Sequence, residues 1–442
     1  MTGLQEVLLR ARRLVVPGRE EEERLGRVAE KVLGKVEAAS LPFPQVTGVL
    51  LGGSFAKQTW LPGGEGTTDV DVFVKISPEV DGATFESIGL KVGREASRGY
   101  RHGKKYAQHP YTEATIDGVK VNVVPCYDLG PGRWRSAADR SPYHVKFVRE
   151  NLDGEARTQV RLLKRFMRTV GVYGAEIERE GFSGYAAEVL VHAHGSFEGV
   201  LRYFSGSAVG GEPFSLRDPI DGARELATAI SRETLTRMVL ASRSFLRAPD
   251  LSYFRSVRRR VRGGLLGRVY VVRFDHAPLS EDTLWGELKK STKQLVRYVE
   301  ERGFAVARAS AASNDRDSSA ILLLPVAEAV PELEERIGPG VEMAEEVGRF
   351  LAKNGARAEL FWAGEDGRVH LLQRRGCTSL GELLERVVRS EIGAVGASRE
   401  VAAAIGKTGR VVTGRRVRAA ASKEEWLGEG VRELVADTIG TH

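Results

Sequence analysis

The sequence predicts a multidomain α+β protein: a head built on a small mixed sheet, a helical neck, a body of β-α-β-β order and an α/β tail. Three observations lead there. Residues 46–127 carry short β-rich runs at close intervals, residues 136–247 read almost wholly helical, and after Pro249 strand and helix patterns alternate again. At 442 residues the chain is long enough for two to four domains, and 42% hydrophobic content supports sizeable cores rather than wholesale disorder.

In order along the chain, helical spacing covers 4–13 and 19–38, with Leu25, Val28, Val32 and Val36 on one side. Strands are predicted at 46–51, 70–76, 113–116 and 119–124, with a helix over 85–97. Asp117-Gly118 between the last two strands is a hairpin turn signal. In the helix over 156–170, Val160, Leu163, Met167 and Val170 form the apolar stripe, and Arg157, Arg161, Lys164, Arg165 and Arg168 take the other flank. That flank holds too many positives for a self-sufficient helix, so it is either a solvated face or part of an anion site. Strand at 268–274, helix at 282–302 and strands at 305–310 and 320–326 make an RRM-like or ferredoxin-like body. Helices return at 341–354 and 379–389, and 391–418 is Gly/Ala/Arg-rich with weak periodicity. The expected divisions are 1–135 (head), 136–247 (neck), 248–340 (body) and 341–442 (tail).

A formal charge of +7 leans towards a polyanionic partner. Its distribution says more. Arg255, Arg258, Arg259, Arg260, Arg262, Arg268 and Arg273 crowd one stretch with almost no acids between them, and Lys407, Arg410, Arg415, Arg416 and Arg418 crowd another. Phosphate-backbone contact is the expectation for the first and competes evenly with solvated surface for the second. No apolar run is long enough to span a membrane, and the N-terminal pattern of Arg10, Arg12 and Arg13 followed by acids is not that of a signal peptide. Cys126 and Cys377 make no disulfide framework or zinc cluster, which points to a reducing cytoplasm. Gly406-Lys407-Thr408 lacks the upstream glycine of a phosphate loop, and His192 and His194 cannot share a helix face.

The most informative stretch is Gly52-Gly53-Ser54 followed by Thr68-Asp69-Val70-Asp71-Val72-Phe73-Val74. On a strand, Asp69 and Asp71 project from one face while Val70, Val72 and Val74 point the other way. Two carboxylates so close are unfavourable without a cation between them, and Mg²⁺ suits a pair of carboxylates plus substrate phosphates. The Gly-Gly-Ser turn offers backbone N–H groups and a hydroxyl to a polyphosphate. Together these describe metal-assisted transfer from a nucleoside triphosphate.

These residues resemble the nucleotidyltransferase superfamily that includes polymerase β and poly(A) polymerases. Gly52 to Pro62 resembles, more narrowly, the archaeal (class I) CCA-adding tRNA nucleotidyltransferases. The resemblance continues through His109-Pro110-Tyr111, Val123-Val124-Pro125-Cys126-Tyr127, Asp139-Arg140-Ser141-Pro142-Tyr143-His144, Val160 to Lys164, Gly171 to Glu176, Gly181 to Tyr185 and Asp218-Pro219-Ile220-Asp221. It implies a polymerase β-like head and addition of CMP, CMP and AMP from CTP and ATP to the tRNA 3′ end without a nucleic-acid template. It also implies a two-ion Mg²⁺ site and, in many relatives, a homodimer. Asp69, Asp71 and Asn122 fall on its three metal-ligating, catalytic positions. Ser54, Lys57, Ser141, His144, Lys164, Tyr173 and Arg224 fall on nucleotide-binding ones, and Arg224 with Arg255, Arg258, Arg259 and Arg262 on the tRNA side.

Asn122 departs from the family, which has Asp there. An amide keeps a carbonyl oxygen for a hard cation but loses a charge and cannot accept a proton, a loss on the order of a hundredfold or more. Neither Glu65 nor Asp117 lies in the strand register facing Asp69 and Asp71. Three readings of Asn122 compete: an inactivated variant, a natural enzyme with a weakened or rearranged metal site, and a tRNA-gripping relative that no longer turns over. Lys57 replaces a frequent Arg, which keeps charge but loses bidentate geometry. Glu225, where a neutral residue is expected beside Arg224, predicts altered base readout. A different nucleotidyltransferase, acting on poly(A) ends or small molecules, is the third function class; the helical middle and the basic third quarter argue against a small acceptor.

Overall fold

The computed structural model describes residues 3–63, 68–106, 108–207, 214–255 and 261–437. Contacts divide the chain into two compact units, the first running to Arg258 and the second covering Arg259–Asp437.

The first unit opens with helices α1 (Gly3–Val15) and α2 (Arg19–Ser40), then β1 (Val46–Gly52), a single turn α3 (Gly53–Ala56), β2 (Asp69–Ile76), α4 (Gly82–Ala96), β3 (Arg101–Tyr106), β4 (Pro110–Ile116) and β5 (Val119–Tyr127). The strands form one sheet in the order β1-β2-β5-β4-β3. Only β2 and β5 run parallel, because the crossover between them passes through α4. Asp117 and Gly118 both take positive φ, as a two-residue hairpin turn between β4 and β5 requires. The sheet's apolar face (Val70, Val72, Val74, Val121, Val123, Ala114) packs on Val28, Val32 and Val36 of α2 and Phe85, Ile88 and Val92 of α4. Strand alternation therefore leaves Asp69, Asp71, Lys120, Asn122 and Glu113 on the opposite face. β3 was not expected: Arg101-His102-Gly103-Lys104-Lys105-Tyr106 has little strand propensity and forms as a charged edge paired to β4.

Helices α5 (Ser141–Asn151), α6 (Gly154–Val170), α7 (Gly184–His194), α8 (Phe197–Gly206) and α9 (Arg232–Arg247) follow. Asp153, Ser183, Ser196 and Ser231 cap α6, α7, α8 and α9 by accepting a backbone N–H three residues on. Their core is aromatic, with Phe166, Phe197, Phe245 and Phe254 fully enclosed. The helical expectation for 136–247 fails at β6 (Arg217–Asp218) and β7 (Asp221–Glu225). Pro219 lacks an N–H and the Asp218 carboxylate accepts from Ile220 N at 3.0 Å, so the chain turns back instead of coiling.

The second unit contains β8 (Tyr270–Asp275), α10 (Glu281–Glu300), β9 (Val306–Ser313), β10 (Ser318–Pro325), β11 (Leu333–Gly340), α11 (Ala344–Asn354), β12 (Ala358–Ala363), β13 (Arg368–Arg374), α12 (Leu380–Arg386), a π turn (Val387–Glu391), α13 (Ile392–Val395), α14 (Arg399–Thr408), β14 (Arg410–Thr413), α15 (Arg415–Lys423) and α16 (Glu425–Leu434). The main sheet runs β14-β8-β10-β9, all antiparallel, which is the ferredoxin-like order with β14 as its fourth strand. α10, α12 and α14 cover one face and α15 and α16 the other. That is why every residue of β10 is buried. β11, β13 and β12 make a separate sheet that periodicity did not show, since β11 begins Leu-Glu-Glu-Arg.

Candidate active site

β1 delivers the chain to the site and β2 carries it. Gly52 pairs with Asp71 at the end of the antiparallel ladder, and Gly53 then turns the chain into α3 with φ of 62°. A Cβ on Gly53 would lie 1.8 Å from Asp71 Oδ2, so the turn rests directly on the carboxylate and only glycine fits. In the parallel ladder Asp69 stands beside Lys120 and Asp71 beside Asn122.

The predicted third position is therefore next to Asp71, and Asn122 Nδ2 donates to Asp71 Oδ1 at 2.9 Å. Lys120 Nζ lies 3.7 Å from Asp69 Oδ2 and 2.9 Å from Glu113 Oε2. Burial raises the Asp71 carboxyl above its ordinary range and the Asn122 hydrogen bond opposes that. Among the described residues no three His, Cys, Asp or Glu side chains gather as a metal set. Asn122 Oδ1 is nevertheless buried with no hydrogen-bond partner. An orphaned carbonyl oxygen beside two carboxylates is an oxygen-only donor set, which fits a hard divalent cation. Asp117 bonds to Lys31 instead, and Glu65 lies outside the described residues.

Three cations of the basic flank of α6 are engaged within the fold, while Arg168 is exposed. Arg161 Nε donates to Trp60 O at 3.1 Å, Arg165 to Pro62 O at 2.9 Å, and Lys164 Nζ to Thr59 O at 3.2 Å. These cations grip the segment after α3, and Arg161 and Lys164 are buried in doing so. Lys164 Nζ also meets Glu188 Oε1 at 2.8 Å, and Lys57 Nζ meets Glu188 Oε2 at 2.9 Å. Glu188 was missed. Its signal was a lone acid inside the apolar run Ala186-Ala187-Glu188-Val189-Leu190-Val191. The Tyr173 hydroxyl and the Lys164 ammonium both face Gly184 at the start of α7. Ser54 sits in α3, one turn before Lys57, and Ser141 opens α5, three residues before His144.

A second buried acid organises the other side. Asp218 accepts from His144 Nε2 at 3.3 Å, the Tyr185 hydroxyl at 3.0 Å and Arg224 Nη1 at 3.2 Å. His144 stacks on Tyr185 with centroids 3.7 Å apart, and Lys57 Nζ lies 4.9 Å from the same ring. Burial lowers the His144 pKa, against the Asp218 bond, so the imidazole is neutral near pH 7. Arg224 lies on β7, not at a helix start. Glu225 does not meet it: its carboxylate accepts from Ser215 Oγ, Leu216 N and Ala227 N and so closes the hairpin.

The tRNA-side arginines divide. Arg258 and Arg259 lie outside the described residues. Arg255 is exposed after a short 3₁₀ turn. Arg262 pairs with Asp437 at 2.7 Å, Arg273 with Glu424 at 2.6 Å and Arg268 with Glu328 at 3.7 Å. For these three, acids from elsewhere in the fold supply the partners that this stretch of sequence lacks.

Burial alone would raise both acids of the site. The Lys164 and Lys57 ammoniums hold Glu188 at about 2 against an ordinary 4.5, and hydrogen bonds from His144 and Ile220 hold Asp218 at about 2 against 3.8. Both are depressed, so their stabilisation is complete above the unfolded values and is lost as pH falls towards 2. Urea unfolding midpoints should fall between pH 5 and pH 2. Asp218→Asn should flatten that slope; an unchanged slope would remove Asp218 as a source.

Comparison with known proteins identifies three domains in turn. Residues 30–144 match the nucleotidyltransferase domain, residues 158–255 the second domain of tRNA nucleotidyltransferase, and residues 267–414 the C-terminal domain of the CCA-adding enzyme. The CCA-adding enzyme of Pyrobaculum islandicum is 34% identical over 401 residues, covering 87% of this chain and 94% of its own. That of Pyrobaculum neutrophilum is 36% identical over 404 residues (87% and 94%), and that of Methanopyrus kandleri 31% over 482 residues (98% and 97%). A nucleotidyltransferase head, a helical tRNA nucleotidyltransferase domain and a ferredoxin-like body follow one another in the same chain, and this chain belongs to the family of archaeal CCA-adding enzymes.

Proposed function

We propose that this chain adds CMP, CMP and AMP from CTP and ATP to the 3′ end of tRNA. The observation that carries the proposal is the register placing Asp71 against Asn122, beside Asp69, on the sheet face below the Gly53 turn. Asp69, Asp71 and the Asn122 carbonyl would hold the divalent cation, with Mg²⁺ expected for an all-oxygen set and two ions for in-line transfer. When bound, such a cation stabilises charge on the attacking and leaving oxygens at the α-phosphorus.

The chain's own residues do the rest. Lys57, Lys164 and Tyr173 receive the triphosphate, with Ser54 and Ser141 as hydroxyl donors. His144, neutral and stacked on Tyr185, gives its one N–H to Asp218 and so borders the nucleotide without adding charge. Arg224, held by Asp218 but partly exposed, reads the base edge and contacts the RNA. Asn122 cannot accept the 3′-hydroxyl proton, so that step falls to Asp69 or Asp71. Arg255, Arg258, Arg259 and Arg262 contact tRNA phosphates; for Arg262 this requires exchange of Asp437 for a phosphate. The protein works in the cytoplasm, where Cys126 and Cys377 stay reduced, and as a homodimer, which light scattering would test.

One observation favours a second reading. The Asn122 amide already satisfies Asp71 from within the protein, as expected of a tRNA-binding relative that does not turn over. The deciding experiment compares labelled CTP and ATP incorporation onto tRNA lacking CCA, with Mg²⁺, for this chain and Asn122→Asp. Addition of C, C and A by both, with Asn122→Asp faster by roughly a hundredfold or more, is the expected result. Tight, salt-sensitive tRNA binding with no extension by either protein would replace the transferase by the binding module.

A further inference from the structure

Glu188 is the one acid of α7's apolar run, and no step above uses it. It is 1% exposed, with one oxygen on Lys57 Nζ at 2.9 Å and the other on Lys164 Nζ at 2.8 Å. Thr59 is enclosed in the same cluster: its hydroxyl donates to Glu188 Oε1 and accepts from Lys164 Nζ at 2.9 Å. The charges bearing on Lys164 are this one carboxylate and, opposing it, Arg161 and Arg168.

Two ammoniums around one buried carboxylate leave positive charge over, and the other carboxylate coupled to Lys57 is Asp71 of the candidate cation site. Buried charge without a partner is strongly unfavourable, so the cluster is built to receive a second anion. The cluster borders Gly184, where a Cβ would come 2.9 Å from the Tyr173 hydroxyl and 3.5 Å from Lys164 Nζ. Glycine keeps clear the space where these two donors converge. Lys57, at 10% side-chain exposure, is the less enclosed of the two lysines.

We infer that Glu188 is a positioning residue of the polyphosphate site: it holds Lys57 and Lys164 as a pair and shares them with the phosphate chain of the bound nucleotide. This rests on the nucleotidyl-transfer reading and deepens it. A carboxylate that shares the two cations weakens their hold on phosphate. Polyphosphate affinity is thereby kept moderate and pyrophosphate is free to leave. A carboxylate with only a structural role would have no such effect on anion affinity.

The test is calorimetric titration of the full chain with inorganic tripolyphosphate, alongside CMP incorporation onto tRNA. Glu188→Gln is expected to bind tripolyphosphate at least tenfold more tightly than the unaltered chain, with kcat for CMP addition lowered and inhibition by pyrophosphate strengthened. Weaker tripolyphosphate binding in Glu188→Gln would reduce Glu188 to a structural acid and overturn the inference. Should Glu188→Gln not fold, Lys57→Met removes the surplus charge while leaving Lys164 and Glu188 as a balanced pair. It should then lose at least tenfold in tripolyphosphate affinity without loss of thermal stability, and unchanged affinity would overturn the inference. Tighter binding by Glu188→Gln in a chain that never extends tRNA would uphold the inference and sink the transferase reading. Normal extension without tighter binding would do the reverse.

Discussion

Asp71→Ala is expected to lower CMP and AMP incorporation by a factor on the order of 10³ or more, about 4 kcal/mol of transition-state stabilisation, with tRNA affinity unchanged within a few-fold. Asp71 is the point where three parts of the site meet: the turn at Gly53 lies against its Oδ2, Asn122 donates to its Oδ1, and Asp69 shares its face. With Asn122 uncharged, Asp69 and Asp71 are the two carboxylates of the proposed three-residue cation site. Loss of one halves the negative charge available to a cation. Single-turnover extension of tRNA, with binding measured at the same salt, separates chemistry from grip. Loss of less than tenfold would show that the transfer does not depend on this carboxylate pair.

Gly53→Ala should be nearly as damaging to activity, through geometry rather than charge. A φ of 62° costs a non-glycine residue about 1–2 kcal/mol, and the added methyl would overlap Asp71 Oδ2. The atom that must give way is the site's own carboxylate, so turnover should fall on the order of a hundredfold while the melting temperature drops by only a few degrees. Gly48→Ala on β1, the strand that leads into this turn, is the control: its nearest neighbour is Lys75 Cδ at 3.8 Å, an ordinary contact. Equal losses in the two variants would mean that strand stability, not the Gly53–Asp71 approach, controls activity.

Much of the site was legible because it depends on strand alternation. Asp-x-Asp within a Val-rich run places both acids on one face whatever the surroundings, and Asp117-Gly118 sets the hairpin that aligns Asn122. The body's strand and helix order was legible for a related reason, since the buried strand Ser318–Pro325 holds a continuous apolar run from Ala320 to Leu324. Segments whose structure comes from pairing were not. β3 and β11 are charged, the β6–β7 hairpin interrupts a helical stretch, and all three form against a partner strand.

The sequence by itself determined which residue types could do chemistry and which faces they occupy, because periodicity and turn chemistry act over a few residues. It determined the family. Only the tertiary structure decided how the charges are compensated. Glu188 lies 131 positions from Lys57 and Asp218 lies 74 from His144, yet each pair is in direct contact. Asp437 lies 175 positions from Arg262 and neutralises it. Coulomb energy depends on separation in space and on burial, and neither can be read from spacing along a chain.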